Sequence, residues 1–534
     1  MRSKSTVTFA TLLLLACATA ASAAGPIGGF RDAFGPRFES NPESNARPRR
    51  TDRRAVRAAA MVQRWNEIAI DASGLDHTPV AMGENRTFGE QLGPGRSSRA
   101  MAISHIAIFD AVNAIALRYR SYTGLRPAPL HTSMSAAIAQ AAYDSLAALF
   151  PSQAGAFHAR LAADLARIRG GVDKANGIAL GHRAAAAILA RRAHDGSHYV
   201  EPQMDVGYLP GDRPGEWRQD PVSQIPIALG ALWGKVVPFV LRSPHQFRVP
   251  PPPALDSAAY TAAFAEALAY GGDGVVTPTI RTPEQTEIGT YWAYDGTPSL
   301  CAPPRLYNQI TMQIAEQRGT TRDVIELARL LAIANTAMAD AGIAIWESKY
   351  HYSFWRPVTG IREADEGSGP TGAGDGNPDT LGNPTFLPLG APASNLSGPG
   401  FTPPFPAYPS GHAGFGGALF QTLRNFYGTD DIAFTFVSDE FNGTTFDSAG
   451  IVRPLLPRSF DSLSEAEEEN GQSRIYLGIH WSFDKVYGIQ TGNQVADYIY
   501  GHEMQPVPEP STFVLAGLGG LTLLAIAVRR RRRH

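Results

Sequence analysis

Between Val324 and Lys349, apolar positions recur at steps of three and four: Val324, Leu327, Leu331, Ala334, Met338, Gly342 and Ile345. Residues so spaced share one face of an α-helix. The next position in the series is Lys349, where the apolar stripe was heading. A lysine there must snorkel or find partners. Seven residues later comes Arg356, and Pro357 then disturbs the helix.

Helical spacing is common elsewhere. From Ser97 the segments SSRAMAISHIAIFDAVNAIAL, MSAAIAQAAYDSLAALF, QAGAFHARLAADLARI and VDKANGIALGHRAAAAILARRA are rich in alanine and periodic at the helical interval. Residues 364–404 are rich in Gly, Pro, Asn and Asp and read as a long excursion of the kind that often carries function. Helical pattern returns after His412 and again after Ser473. No strand series, internal repeat, phosphate loop or dinucleotide fingerprint is present. The expectation is an all-α body.

With 534 residues and 44% hydrophobic residues the chain can bury a sizeable core. A net charge of −2 argues against a general nucleic-acid binder. Residues 1–23 read as a signal peptide, with basic Arg2 and Lys4, an apolar run and Ala21-Ser22-Ala23 as a cleavage site. Cys17 lies in that segment, so Cys301 has no partner for an internal disulfide and stability must come from packing. At the other end, Pro508-Glu509-Pro510 precedes an apolar run from Phe513 to Val528 and five arginines. That run is short for a membrane helix, and the arginines should stay cytoplasmic.

Three clusters carry chemistry. Lys349 and Arg356 form the first, Pro409-Ser410-Gly411-His412 the second, and Ser473, Arg474, Gly478, His480 and Asp484 the third. Lys349, Arg356 and Arg474 supply cations, and the arginine fork suits tetrahedral oxyanions. Ser410 supplies a hydroxyl, and Gly411 lets a backbone N–H approach an anion at a helix start. Asp484 stands at i+4 from His480, with His480 read as two helical turns beyond Arg474. A carboxylate there can hold one ring nitrogen protonated and free the other as nucleophile or ligand. His412 sits beside the donor loop, placed for acid–base work.

Together these clusters reproduce the three-part signature shared by vanadium-dependent haloperoxidases and type 2 phosphatidic acid phosphatases. The flanks AGIAIWESKYHYSFWRP and PPFPAYPSGHAGFGG resemble the chloroperoxidase branch, and the C-terminal segment resembles a PEP-CTERM sorting tail. The resemblance implies two helical bundles, with the site at one end of the C-terminal one. The expected organisation is a signal peptide over 1–23, an extended arm over 24–95, an N-terminal bundle over 96–275, a catalytic bundle over 276–503 and the sorting tail over 506–534. It also implies vanadate bound through His480, with Lys349, Arg356, Ser410, Gly411 and Arg474 at its oxygens and His412 as the acid–base group. Trp346 and Phe405 resemble the aromatic pair near the halide, and Asp295 in YWAYDG resembles a carboxylate that braces the arginine and the acid–base histidine.

On this reading hydrogen peroxide oxidises bromide or chloride to hypohalous acid, which halogenates an organic acceptor, with vanadium acting as a Lewis acid. The protein would be exported from a Gram-negative bacterium to the periplasm, the cell surface or beyond. A membrane sorting protease would read its tail, with membrane attachment before processing. The rival enzyme reading is an acid phosphatase, in which His480 attacks phosphorus and forms a phosphohistidine while His412 protonates the leaving group. A third is an exported matrix protein that keeps a relic of the fold.

Overall fold

The computed structural model describes residues 53–507. The signal peptide and the sorting tail from Pro508 onward, including its apolar run, lie outside the described residues. Among those described, thirteen α-helices and one two-stranded sheet make up the regular structure, as the all-α expectation requires. The helices are α1 (Arg53–Asp76), α2 (Gly93–Ala116), α3 (Met134–Leu149), α4 (Ala154–Ala166) and α5 (Val172–Arg192), followed by α6 (Ala258–Gly271), α7 (Pro283–Tyr291) and α8 (Pro303–Gln317). Then come α9 (Val324–Tyr352), α10 (Pro357–Arg362), α11 (Gly411–Tyr427), α12 (Leu463–Tyr476) and α13 (Ser482–His502).

Helix α9 is the spine. Asp323 caps its start by accepting from the Ile325 and Glu326 N–H groups, a contribution of about 1 kcal/mol. Every residue from Leu327 to Trp346 is buried, so the helix is covered all round and not only along the stripe seen in the sequence. Its flanks are taken by α2, α11 and α13. Both α2 and α9 are long and apolar enough to cross a membrane, yet 89% and 100% of their apolar windows are buried inside the body. They are core helices of the fold.

Helices α11 and α13 pack backbone to backbone. A Cβ at Gly492 would lie 2.2 Å from the Gly414 carbonyl oxygen, and one at Gly488 would lie 2.6 Å from that of Ser410. Glycine at these two positions lets the start of α11 lie directly against α13. This crossing brings the Ser410 loop to the helix that carries Asp484.

Two expectations need correction. Residues 24–95 were expected to be extended, but Arg53–Asp76 is helical because Val62, Trp65, Ala69 and Ala72 form a buried stripe at helical spacing. An antiparallel hairpin also appears, β1 (Phe434–Asn442) with β2 (Leu455–Phe460), pairing Phe434 with Phe460 and Phe436 with Arg458. Its period-2 pattern was masked because the inward face of β1 ends on polar Ser438 and Glu440. We propose that the boundary between the two bundles near residue 275 falls in the link between α6 and α7.

Candidate active site

The buried face of α9 carries Lys349 into the interior, where it is fully buried. Its ammonium donates to the Pro406 and Ala407 carbonyls, both at 2.8 Å. The loop before Ser410 thereby closes over the end of α9. Burial, reinforced by the neighbouring Arg356, holds the ammonium well below its ordinary range.

Ser353, in the left-handed region at φ 47°, ends α9, and Arg356 becomes the N-cap of α10. Its guanidinium donates from Nε to the Phe405 carbonyl at 2.9 Å and from Nη1 to the Ile479 carbonyl at 2.8 Å. Nη1 also lies 2.9 Å from His480 Nε2. Nη2 is buried with no partner among the described residues. Burial is the main cause that pushes this arginine down to about 9.

Arg474 lies in the last turn of α12, wholly buried, and donates from Nη2 to both oxygens of Asp295 at 2.8 Å. Its Nε and Nη1 have no partner. Asp295 is raised by burial, with the Arg474 charge opposing. It reaches His412 only at 3.8 Å. Asp295 thus pairs with the arginine, whereas the imidazole Nε2 donates to the Ala293 carbonyl. That bond leaves Nδ1 as the basic nitrogen of His412. Burial first, then Arg474, depresses this histidine well below its ordinary value.

His480 and Arg474 do not share a helix, contrary to the spacing argument. Helix α12 stops at Tyr476, Gly478 turns the chain at φ 69°, and His480 lies in the short link before α13. A side chain at Gly478 is excluded on a second count, since its Cβ would lie 2.4 Å from the Gly271 carbonyl oxygen. Asp484 is the third residue of α13. Its Oδ2 accepts from His480 Nδ1 at 2.8 Å and from the Trp481 N–H at 3.0 Å. The i+4 spacing therefore pairs the two residues through a helix cap and not along a helix face. Burial and the cations Arg356, Lys349 and Arg474 keep His480 well below its ordinary value.

Ser410 caps α11, its Oγ accepting from the Ala413 N–H at 3.4 Å, while its own N–H donates to the Asp484 carbonyl at 2.9 Å. A Cβ at Gly411 would lie 3.1 and 3.2 Å from Trp346 Cη2 and Cζ3, so the loop rests directly on that indole. Trp346 and Phe405 pack with ring centroids 4.9 Å apart. The Lys349 ammonium lies 5.7 and 5.1 Å from those two centroids. Both aromatics are core residues and both flank the cation cluster.

Eleven of the residues singled out in the sequence, Trp346, Lys349, Arg356, Phe405, Ser410, Gly411, His412, Arg474, His480, Asp484 and Asp295, thus lie in one connected cluster. Among the described residues the buried unpaired groups in it are the donors Arg356 Nη2 and Arg474 Nε and Nη1, beside the hydroxyl of Ser410 and the N-terminal N–H groups of α11, and one acceptor, Asp484 Oδ1. Buried donors left without acceptors cost about 1–3 kcal/mol each, and more when charged. Such a set fits a tetrahedral oxyanion.

Three contributors escaped the sequence reading. The Ala293 carbonyl that fixes His412 is backbone and leaves no side-chain signal. Tyr307 Oη and Asn470 Nδ2 donate to the His412 carbonyl at 2.9 and 3.1 Å, anchoring the first turn of α11. Asn470 could have been found one helical turn before Arg474 on a buried face. Tyr307 carried no signal.

Residues 329–509 match the model of the VCPO second helical-bundle domain, and residues 506–533 match the PEP-CTERM protein-sorting motif. The vanadium chloroperoxidase of Curvularia inaequalis is 32% identical over 501 residues, covering 79% of this chain and 78% of that protein. Among solved structures, the first bacterial vanadium-dependent iodoperoxidase has a TM-score of 0.62 at 23% identity, covering 84% of this chain and 96% of that one. The apo form of a bacterial vanadium-dependent chloroperoxidase has a TM-score of 0.57 at 16% identity, over 77% of this chain and 94% of that one. These two share the fold.

Proposed function

This chain belongs to the vanadium chloroperoxidase family, and on that premise we propose that it oxidises bromide or chloride with hydrogen peroxide to the hypohalous acid, which halogenates an organic acceptor. The observation that carries the reading is the buried set of donors on Arg356 and Arg474, which no protein acceptor satisfies among the described residues. Lys349, Arg356, Ser410, Gly411 and Arg474 would hold the oxygens of vanadate, and His480 Nε2 would hold the metal. Bound there, vanadate supplies a Lewis acid that polarises peroxide.

The chain's own groups do the rest. Asp484 keeps the proton on His480 Nδ1, so Nε2 carries the lone pair, which accepts from Arg356 Nη1 in this structure. His412 is neutral at ordinary pH because it is buried beside Arg474, and its Nδ1 takes a proton from peroxide and returns it to the departing hypohalite oxygen. Asp295 holds Arg474 in place and offsets part of its charge. Trp346 and Phe405 exclude water beside Lys349 and offer a polarisable surface to halide.

The sorting motif marks export to the cell envelope or beyond in Gram-negative bacteria. We infer that sorting machinery reads it before the body reaches the periplasm or cell surface.

The donor set would also accept phosphate, with His480 Nε2 as nucleophile and His412 as acid. Parallel assays with and without orthovanadate decide between the two. The expected result is peroxide- and bromide-dependent halogenation that appears on vanadate loading. Good phosphatase turnover with no halogenation after loading would overturn the proposal.

A further inference from the structure

Ala293 and Asp295 stand on either side of Tyr294, and each holds a different group of the oxyanion cradle. The Ala293 carbonyl accepts from His412 Nε2, and the Asp295 carboxylate accepts twice from Arg474 Nη2 at 2.8 Å. The aim of both therefore depends on the backbone at the one residue between them. Tyr294 sits at φ 44°, in the left-handed region that a bulky L-residue seldom adopts. Such a conformation persists only where its surroundings over-determine it.

Here strand β1 and helix α8 do so. Tyr294 is fully buried. Its hydroxyl donates to Gln309 Oε1 of α8 at 3.1 Å and accepts from the Asp439 N–H of β1 at 2.6 Å. Its own N–H donates to Glu440 Oε1 at 3.3 Å. Gln309 Nε2 and Arg305 Nε both donate to Asp439 Oδ2 at 2.9 Å, which ties the helix to the strand. Glu440, wholly buried, accepts on its other oxygen from Ser394 Oγ and Arg453 Nη1. Further back on the same face of β1, Ser438 Oγ donates to the Tyr291 carbonyl at 2.6 Å, and the Phe436 carbonyl accepts from the Tyr291 hydroxyl at 2.8 Å. The polar residues that break the apolar alternation of β1 are thus the ones that grip the segment Tyr291–Tyr294. Among the described residues, Gln309, Asp439 and Glu440 bond to no side chain of the cradle, so whatever they do there passes through Tyr294.

We propose that Tyr294 is a positioning residue for the acid–base histidine, locked in its left-handed conformation by β1 and Gln309. Its effect on turnover rests on the haloperoxidase reading above. The bond from His412 to the Ala293 carbonyl keeps the proton on Nε2 and leaves Nδ1 basic. When the Tyr294 backbone relaxes toward negative φ, the Ala293 carbonyl turns off the imidazole, and the ring divides between its two tautomers. Molecules with the proton on Nδ1 have no basic nitrogen there to take a proton from peroxide.

Two variants test this. Tyr294→Phe takes the hydroxyl away and keeps the ring, and Gln309→Leu takes away the acceptor of that hydroxyl. Nitrogen NMR of vanadate-free protein carrying isotope-labelled histidine reads the tautomer of His412, whose signals are identified by their absence from His412→Ala. Bromination of a cyclic diketone, counted per bound vanadate, reads turnover, and thermal melts read stability. We expect one His412 tautomer, protonated on Nε2, in wild type and a mixture in both variants. Turnover per bound vanadate should fall about tenfold, with the KM for bromide and the vanadate affinity each within about threefold of wild type. A role in folding alone would lower the melting temperature and the fraction loaded, not the turnover of each loaded site. His412 signals unchanged in both variants, or turnover per bound vanadate equal to that of an active wild type, would therefore overturn the proposal. Mixed His412 tautomers in the variants, with no bromination by loaded wild type, would leave Tyr294 its positioning role and overturn the haloperoxidase reading instead.

Discussion

Arg356 Nη1 lies 2.9 Å from His480 Nε2, the ring nitrogen that Asp484 leaves free. A guanidinium cannot accept a proton, so this contact fixes Nε2 as the acceptor and His480 as neutral. Asp484 behind the ring and Arg356 before it thus hold the imidazole in one tautomer and one orientation. The nitrogen that would bind the metal is prepared by residues from two separate stretches of chain.

His480→Ala should therefore lower vanadate affinity by more than about 100-fold. Asp484→Asn, which loosens the ring without removing it, should cost about 10- to 100-fold. Equilibrium dialysis with vanadium NMR of the bound fraction checks both. Equal affinity in His480→Ala and wild type would end the assignment of this residue as ligand.

His412 is tied differently. Its Nε2–H is engaged by Ala293, and it lies beside the cations without bonding them. Replacing it should spare binding and remove proton transfer. His412→Ala is expected to keep vanadate affinity within about tenfold of wild type and to lose about 10²–10⁴ in halogenation rate. Affinity and turnover measured on one preparation separate the two effects.

Much of this site was legible because each cluster is local in sequence: Lys349 with Arg356, Ser410 to His412, His480 with Asp484. Charge type and spacing carry the chemistry. Long-range geometry was less legible. The link at Gly478 was read as continuous helix because helical spacing is satisfied by a cap as well as by a helix face. The hairpin at Phe434 was missed because an inward Glu440, paired with Arg453, breaks the apolar alternation. Ala293 was invisible because a carbonyl has no identity in a sequence.

The depressed histidines make a pH prediction for the vanadate-free protein. His412 and His480 are held below their ordinary values by burial, and His105, buried with no partner, is pushed down to about 3. Below the unfolded histidine value of about 6.5, the unfolded chain takes up protons that the folded chain refuses. The contribution of these imidazoles should therefore be fully present above that value and fall as pH drops beneath it, opposed by Asp484, Glu440 and Glu467, whose carboxyls burial raises to about 7. Each histidine contributes up to about 1.4 kcal/mol per pH unit. Chemical denaturation from roughly pH 7 to 5 measures the slope, which should be shallower in His412→Gln. A slope in His412→Gln equal to that of wild type would show that the His412 imidazole is free to protonate in the folded state.

Among the described residues Asp295 supplies the carboxylate that pairs with Arg474, through two bonds at 2.8 Å. Breaking a buried pair by removing one partner leaves the other charge uncompensated, at a cost of about 3–5 kcal/mol. Asp295→Asn should lower the melting temperature of the vanadate-free protein accordingly. Vanadate should then restore more than it does in wild type, because an oxyanion would meet an arginine whose charge is no longer offset. Thermal melts with and without saturating vanadate read both quantities. An unchanged melting temperature would show that solvent reaches Arg474. A large loss that vanadate does not reverse would show that the arginine has swung away from the cradle, so that Asp295 is needed for its position and not only for its charge.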